Sequence, residues 1–239
     1  DDWIKKFVVH NIKVTTMDLR GHGRSEGIRG HAPSFNHLLD DMETLIKHEG
    51  LENEVPRFLY GHSLGGSMVL NYGLRRSGRI TGIIATSPWL RLSTEPKAIA
   101  SLLSRGLKII APQIIRDSLL DFDYLTHDQE MVKQYENDPL VHRQITPALF
   151  FSAKKAGIRA MKEADKLDIP LLLMHGTEDK KTSYKASEEL IRKARNAGKD
   201  VHFLSWKGLY HELHHEIGKE KIFDSIIDWM NEKSKQTTL

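Results

Sequence analysis

The chain has 239 residues, of which 39% are hydrophobic, and its net charge at pH 7 is +3. This length suits one large domain, or one domain with an insertion, and the composition argues against disorder. The small charge of mixed sign indicates no nucleic-acid partner. The longest apolar runs, such as 169–174, are too short to span a bilayer, so no integral membrane segment is expected. There are no cysteines, which excludes disulfides, thiolate nucleophiles and cysteine metal sites.

The first residues carry little information about the cellular compartment of the protein. The sequence opens at Asp1 without a methionine, and no signal peptide is visible in it. We expect a cytoplasmic protein. Membrane association stays open as an alternative. An N-terminal signal also stays open, because the natural start can lie upstream of Asp1.

Strand and helix patterns alternate over the first 87 residues. The first ten residues predict the end of a helix, and "IKVTTMD" (12–18) alternates β-branched residues and predicts a strand. A glycine-rich loop follows. The next predicted elements are a helix at 34–49, a strand at 57–61, a helix at 64–78 that ends at Gly78, and a strand at 80–86.

The segment 88–165 differs, because its apolar residues have helical spacing and no good strand is visible. Alternation then returns, with strands predicted at 169–176 and 200–206 and helices at 184–198 and 215–234. Such alternation predicts an α/β fold with a mostly parallel, doubly wound sheet. We expect 1–87 and 166–239 to form the core, and 88–165 to form a helical lid over the carboxyl ends of the strands.

The stretch "GHSLG" (61–65) fits G-x-S-x-G and lies between a predicted strand and a predicted helix. A sharp turn there strains the serine backbone and exposes its hydroxyl, and the flanking glycines let strand and helix approach closely. The helix N-terminus adds positive potential for a developing oxyanion. The pattern predicts that Ser63 is a nucleophile; the alternative is a hydroxyl in an ordinary loop.

A serine nucleophile needs a base and an acid that orients it, and in this architecture they follow in the order Ser, acid, His. Asp179 lies in the loop after an apolar strand and is the predicted acid. Glu178 is its nearest rival. Asp165 and Asp168 precede that strand and are expected at the wrong end of the sheet.

The predicted base is His211, in the loop after the last strand. His202 lies inside that strand and is expected to be structural. His214 and His215 are expected to fall in the following helix and to face elsewhere.

A zinc site is the competing interpretation of "HELHH" (211–215), which matches H-E-x-x-H with Glu212 as base. That motif needs a third ligand and a helix well inside the domain, whereas His211 follows a predicted turn near the chain's end. We therefore expect no metal. The glycine loop "GHGRSEG" (21–27) lacks the spacing of a dinucleotide fingerprint, so no cofactor is expected either.

Four blocks, "DLRGHGRSEGIRG", "GHSLGG", "HGTEDK" and "YHELHHE", resemble the monoacylglycerol lipase and lysophospholipase branch of the α/β-hydrolases. The resemblance covers nearly the whole chain. It implies a serine ester hydrolase that acts on monoacylglycerols, lysophospholipids or other single-acyl-chain esters, with transient membrane contact. It also implies Ser63 as nucleophile, His211 as base and Asp179 as orienting acid. Two alternatives stay open: another hydrolysis on the same triad (peptide, thioester or carbon–carbon), and a non-catalytic binding protein.

The sequence departs from this family at its front. A His-Gly loop that lends one oxyanion donor, and an early strand, are expected well before "DLRGHG", but only about 17 residues precede that block and they contain no such loop. The other donor implied is the backbone N–H of Leu64. A lost oxyanion donor typically lowers turnover by about 10²- to 10³-fold, so we expect this chain by itself to be impaired.

The lid is expected to supply apolar walls for the acyl chain. The candidates are Trp89, Leu102, Leu103, Ile110, Phe150 and Phe151.

Overall fold

The structure is a computed structural model, and it describes residues 2–50, 55–76, 80–94, 116–117 and 122–237. Within these ranges the helices are α1 (Asp2–Val9), α2 (Phe35–His48), α3 (Leu64–Arg75), α4 (Gln129–Asn137), α5 (Pro147–Lys162), α6 (Tyr184–Asn196) and α7 (Glu220–Thr237). The strands are β1 (Phe58–His62), β2 (Gly82–Thr86), β3 (Arg116–Asp117), β4 (Gln144–Ile145), β5 (Leu171–Gly176) and β6 (Val201–Trp206). Short 3-10 turns cover Ala164–Lys166 and Leu213–His215.

The main sheet has four parallel strands in the order β1-β2-β5-β6. Its two inner strands, β2 and β5, are buried along their whole length. Helices cover both faces, which is why these strands are continuous apolar runs and not alternating ones. The arrangement confirms the predicted α/β class with a mostly parallel sheet.

Each face of the sheet has its own hydrophobic core. Leu171 and Leu173 of β5 join a cluster that includes residues of α2, α3, α5 and α6. Leu172 and Met174 face the other way and join residues of α1 and α7. Successive side chains of a strand point to opposite faces, so this single apolar strand supports both cores.

Most predicted elements are found within a few residues of their expected bounds. Helix α3 ends at Arg75, and Gly78, its predicted end, lies outside the described residues. The C-terminal helix begins at Glu220, five residues later than predicted. Among the described helices, none is both long enough and apolar enough to cross a membrane.

The strand predicted at 12–18 is wrong, since this segment has no regular secondary structure. A groove of about 480 Å³ separates it from β1, and Val14, Met17, Phe58 and Leu59 are among its lining residues. In the described part of the chain, β1 pairs on one side only, with β2. The β-branched residues favour an extended backbone, but a strand also needs a neighbour to form its ladder, and here the groove intervenes.

The segment 88–165 contains a short antiparallel pair, β3 with β4, where the sequence predicts no strand. Two residues per strand are too few to leave a visible alternation. Helix α5, within the same segment, contributes buried residues to the main core and packs against α3. The boundary of the lid at 165 stays a prediction, and this packing favours counting α5 with the core.

Candidate active site

Ser63 occupies the sharp turn between β1 and α3. Its backbone has φ 52° and ψ −112°, a strained conformation for a residue with a side chain. The turn is held by two backbone hydrogen bonds: Ser63 N–H donates to Thr86 O at 3.0 Å, and Trp89 N–H donates to Ser63 O at 2.9 Å. These bonds, to the last residue of β2 and to the segment that follows it, support a strained turn at the carboxyl end of the sheet.

Gly61 is the glycine on which this turn depends. A Cβ at this position would lie 2.2 Å from the backbone oxygen of Gly65, closer than any van der Waals contact allows. A Cβ on Gly65 would meet nothing within 4 Å. Of the two glycines of the motif, only the first is required by close packing of strand and helix.

We expect Gly61→Ala to destabilise the fold by about 1–3 kcal/mol, because backbone atoms cannot move aside as a flexible side chain can. Gly65→Ala is the matched control, and it should be neutral or stabilising by up to about 1 kcal/mol, since alanine is the better helix former. Denaturant unfolding of both variants measures the difference. Equal stabilities would contradict the packing described for Gly61.

Leu64 is the first residue of α3. The N–H groups of the first helical turn have no partner within the helix, and they carry the positive end of its dipole. Leu64 thus lies beside Ser63 with the kind of donor that an oxyanion requires. Its role in an oxyanion hole stays a prediction.

The Asp179 carboxylate lies in the loop after β5, and its side chain is fully buried. Oδ1 accepts from Lys181 N at 2.7 Å and from Thr182 N at 2.9 Å. Oδ2 accepts from Thr182 Oγ1 at 2.8 Å, His175 Nε2 at 3.0 Å and His211 Nδ1 at 2.8 Å. With so many donors around it, the carboxylate is fixed in position and its charge is compensated.

The charges of Asp179 and His211 stabilise each other. Burial alone would raise the pKa of Asp179, but the positive charge of His211 and the hydrogen bonds from His175 and His211 outweigh it and hold that pKa well below its usual range. Burial alone would lower the pKa of His211, but the charge and hydrogen bond of Asp179 raise it above its usual value. An imidazole held in this way is suited to take up a proton.

His175 is a member of the site that the sequence did not reveal. Its side chain is fully buried at the end of β5, with Nδ1 2.8 Å from Ser187 Oγ and Nε2 on Asp179. Burial lowers its pKa. The neutral imidazole can then accept from Ser187 and donate to Asp179. Its position at the end of an apolar strand, four residues before Asp179, was the available signal.

The alternative candidates for the acid and the base have other partners than Asp179 and His211. Glu178 is exposed and pairs with Lys180 at 2.9 Å. Asp165 and Asp168 pair with Lys193 and Lys199. His202 lies on β6 near Asp200 and is partly exposed. Of the acids weighed from the sequence, Asp179 is the one whose contact with His211 is seen among the described residues.

His214 and His215 depart from the expectation. They lie in the 3-10 turn Leu213–His215 and not in α7, and His214 faces Glu212 at 2.8 Å. Residues 211–215 form no α-helix, and the His211 Nδ1 atom is bonded to Asp179. The helical zinc motif H-E-x-x-H is therefore not formed.

Glu216 links the His211 loop to the segment that follows residue 121. Its buried carboxylate accepts from Tyr210 N at 2.8 Å, from His127 N at 3.1 Å and from His127 Nδ1 at 2.9 Å. The His127 and Tyr210 rings also stack at 3.8 Å between centroids. Because Tyr210 directly precedes His211, Glu216 positions the loop that carries the imidazole. Sequence reasoning missed this residue.

Three of the six residues predicted to contact the acyl chain lie in the described part of the structure. Trp89 and Phe150 have ring centroids 5.7 Å apart, and Phe151 packs edge-on against Phe150 at 5.3 Å. Since Trp89 N is bonded to Ser63 O, this aromatic group begins next to the proposed nucleophile. Leu102, Leu103 and Ile110 lie outside the described residues. A substrate role for all six stays a prediction.

Comparison with known proteins places this geometry in a family. The family described as "Serine aminopeptidase, S33", a group of α/β hydrolases, matches residues 1–218. The chain belongs to this family. This membership confirms the resemblance to α/β-hydrolases that the four sequence blocks indicated.

Individual relatives agree with this assignment. A monoacylglycerol lipase from Mycolicibacterium smegmatis is 31% identical over 228 residues, covering 95% of this chain and 80% of the relative. The crystal structure of a monoacylglycerol lipase from Paleococcus ferrophilus superposes with a TM-score of 0.89 at 32% identity, covering 97% of this chain and 88% of that one. An uncharacterized abhydrolase domain-containing protein of Dictyostelium discoideum is 31% identical, and this chain spans 24% of its length.

Proposed function

We propose that this protein is a serine ester hydrolase that acts on monoacylglycerols, lysophospholipids or similar esters with one acyl chain. The observation that carries the proposal is the buried 2.8 Å bond between His211 Nδ1 and Asp179 Oδ2. It holds a polarised imidazole on the loop after β6, while the strained Ser63 lies at the end of β1 in the same parallel sheet. The relatives named monoacylglycerol lipase support the substrate class.

In the proposed reaction His211 is the general base. Donation of Nδ1–H to Asp179 leaves Nε2 with the lone pair that accepts the Ser63 proton as the hydroxyl attacks the ester carbonyl. The negative charge that develops on the carbonyl oxygen is stabilised by the N–H of Leu64. The imidazolium then gives its proton to the departing alcohol, and a water molecule, activated in the same way, releases the fatty acid.

The apolar group that begins at Trp89 is proposed to hold the acyl chain. Aromatic side chains bury a large apolar area, which favours a hydrocarbon ligand over a polar peptide. Because such substrates reside in lipid, transient contact with a membrane surface is part of this proposal.

Substrate preference tests the proposal. We expect the purified protein to hydrolyse p-nitrophenyl esters and 1-monoacylglycerols, with a kcat/KM that changes with acyl chain length, and to leave aminoacyl p-nitroanilides unchanged. Faster cleavage of the anilides would favour a peptidase on the same residues. No turnover of either class, without labelling by a fluorophosphonate, would favour a binding protein.

A further inference from the structure

Three side chains converge beside the proposed base without a role in the reaction. His62 ends β1, while Glu212 and His214 lie in the turn after β6. His62 Nε2 is 3.3 Å from Glu212 Oε1, and His214 Nε2 is 2.8 Å from Glu212 Oε2. One possible ligand atom from each of the three residues lies within 4.8 Å of the other two.

The group is buried and its hydrogen bonding is incomplete. Glu212 is 5% exposed, and His62 and His214 are largely buried. The Tyr135 hydroxyl is a further hydrogen-bonding neighbour of Glu212, whereas among the described residues His62 Nε2 has no hydrogen bond of good geometry. Buried polar atoms without partners are rare in folded proteins, and binding of an ion is one recognised reason for them.

Neighbouring residues hold the ligand atoms in place. His62 Nδ1 lies 3.1 Å from Thr86 Oγ1, and a bond there from Nδ1–H leaves the Nε2 lone pair facing Glu212. Trp3 Nε1 donates to His214 O at 2.8 Å, and its ring meets the His214 ring edge-on. The bond at His62 Nδ1 is of the kind that characteristically orients a ligating histidine. His214 is held through its backbone carbonyl and its ring contact, and its Nδ1 has no partner among the described residues.

We propose that His62, Glu212 and His214 form a binding site for a divalent transition-metal ion, with Zn²⁺ as the ion of first choice. Two imidazoles and one carboxylate are a donor set that zinc commonly takes, with a fourth position left for water or another ligand. The carboxylate also offsets one of the ion's two charges. This set differs from H-E-x-x-H, because its first histidine comes from β1 and His211 is not a member.

The site adjoins the proposed base. The His62 and His211 rings lie 4.6 Å apart between centroids, and His62 directly precedes Ser63. A hydrated ion held there would lie next to both Ser63 and His211 and obstruct the approach of an ester, so bound zinc is expected to inhibit hydrolysis reversibly. The site is thus proposed as inhibitory and not as part of the chemistry.

Zinc binding is best measured on the Ser63→Ala protein, whose metal affinity does not depend on turnover. We expect calorimetry to find one equivalent of Zn²⁺ on this site, and Co²⁺ to give the visible absorption of a four-coordinate ion. His62→Gln and His214→Gln should each weaken binding by about 100-fold or more, since loss of an outer partner alone costs about 10- to 100-fold. His48→Gln, at a side chain that is 83% exposed, is the control and should bind as before.

Thr86→Val is a second variant in case the ligand variants misfold, because it keeps the shape of the side chain and all three proposed ligands. It removes the hydroxyl that lies 3.1 Å from His62 Nδ1 and, more weakly, 3.4 Å from Tyr60 Oη. It should weaken zinc binding by about 10-fold while circular dichroism stays unchanged. The proposal is overturned if the folded Ser63→Ala protein binds no zinc. It is also overturned if both ligand variants bind as tightly as the His48→Gln control.

Discussion

Ser63→Ala is expected to reduce ester hydrolysis to the background rate, a loss of up to about 10⁶-fold in kcat. The substitution removes the oxygen that attacks the ester and leaves His211 and Asp179 in place. Their bond cannot compensate, because an imidazole without a nucleophile next to it can only act on water. The residual rate would come from binding and from the donors of the first turn of α3.

The measurement combines turnover of a p-nitrophenyl ester with labelling by a fluorophosphonate probe. Ser67→Ala is the matched control, since Ser67 lies one turn further along α3 with a fully buried hydroxyl. It should keep both activity and labelling. Retention of more than about a tenth of the turnover in Ser63→Ala would remove the nucleophile from the proposal, and the hydrolase assignment with it.

Asp179→Asn should lower kcat by about 10⁴-fold with the overall fold retained. An amide has nearly the shape of the carboxylate, but only one of its two polar atoms accepts hydrogen bonds. It therefore no longer favours the His211 tautomer with the proton on Nδ1, and it cannot stabilise the imidazolium. His175 and Thr182 share the same Oδ2 atom, so they compete for the remaining acceptor.

The control for this variant is Glu178→Gln, which changes the neighbouring acid in the same loop. Its side chain is 52% exposed and pairs with Lys180, so turnover should change less than about 2-fold. Because several donors lose a charged partner in Asp179→Asn, thermal unfolding must show that the variant is folded at the assay temperature. A folded Asp179→Asn protein with full activity would contradict the role of this aspartate.

Much of the fold follows from local patterns that survive in the structure. The apolar run 171–174 predicts a buried strand because a parallel strand covered on both faces has no polar side to display. Ser63 could be found because G-x-S-x-G lies between a strand pattern and a helix pattern. Asp179 and His211 could be placed because each follows a strand, and strand ends of a parallel sheet share one edge.

The segment 12–18, wrongly predicted as a strand, shows the limit of predicting secondary structure from local sequence patterns. Its residues favour an extended backbone, but pairing depends on whether another strand lies within hydrogen-bonding distance, and β1 does not. The same holds for β3 and β4, whose two-residue ladder depends on a neighbour nearly thirty residues away.

The strained serine turn and the chain order Ser, Asp, His could be predicted from the sequence itself, since each depends on strand and helix patterns next to it along the chain. The strand order of the sheet could not, because β2 pairs with β5, which is distant in the sequence. Tertiary structure alone decided that His175 supports Asp179, that Glu216 holds the His211 loop, and that His62 meets Glu212 and His214. Glu216 with His127, and His62 with Glu212, join residues that are far apart in the sequence. His175 lies only four residues before Asp179, but whether its side chain turns toward that carboxylate depends on packing and burial. The distance between two side chains in space is set by the whole sheet that carries them, so their spacing along the chain does not determine these contacts.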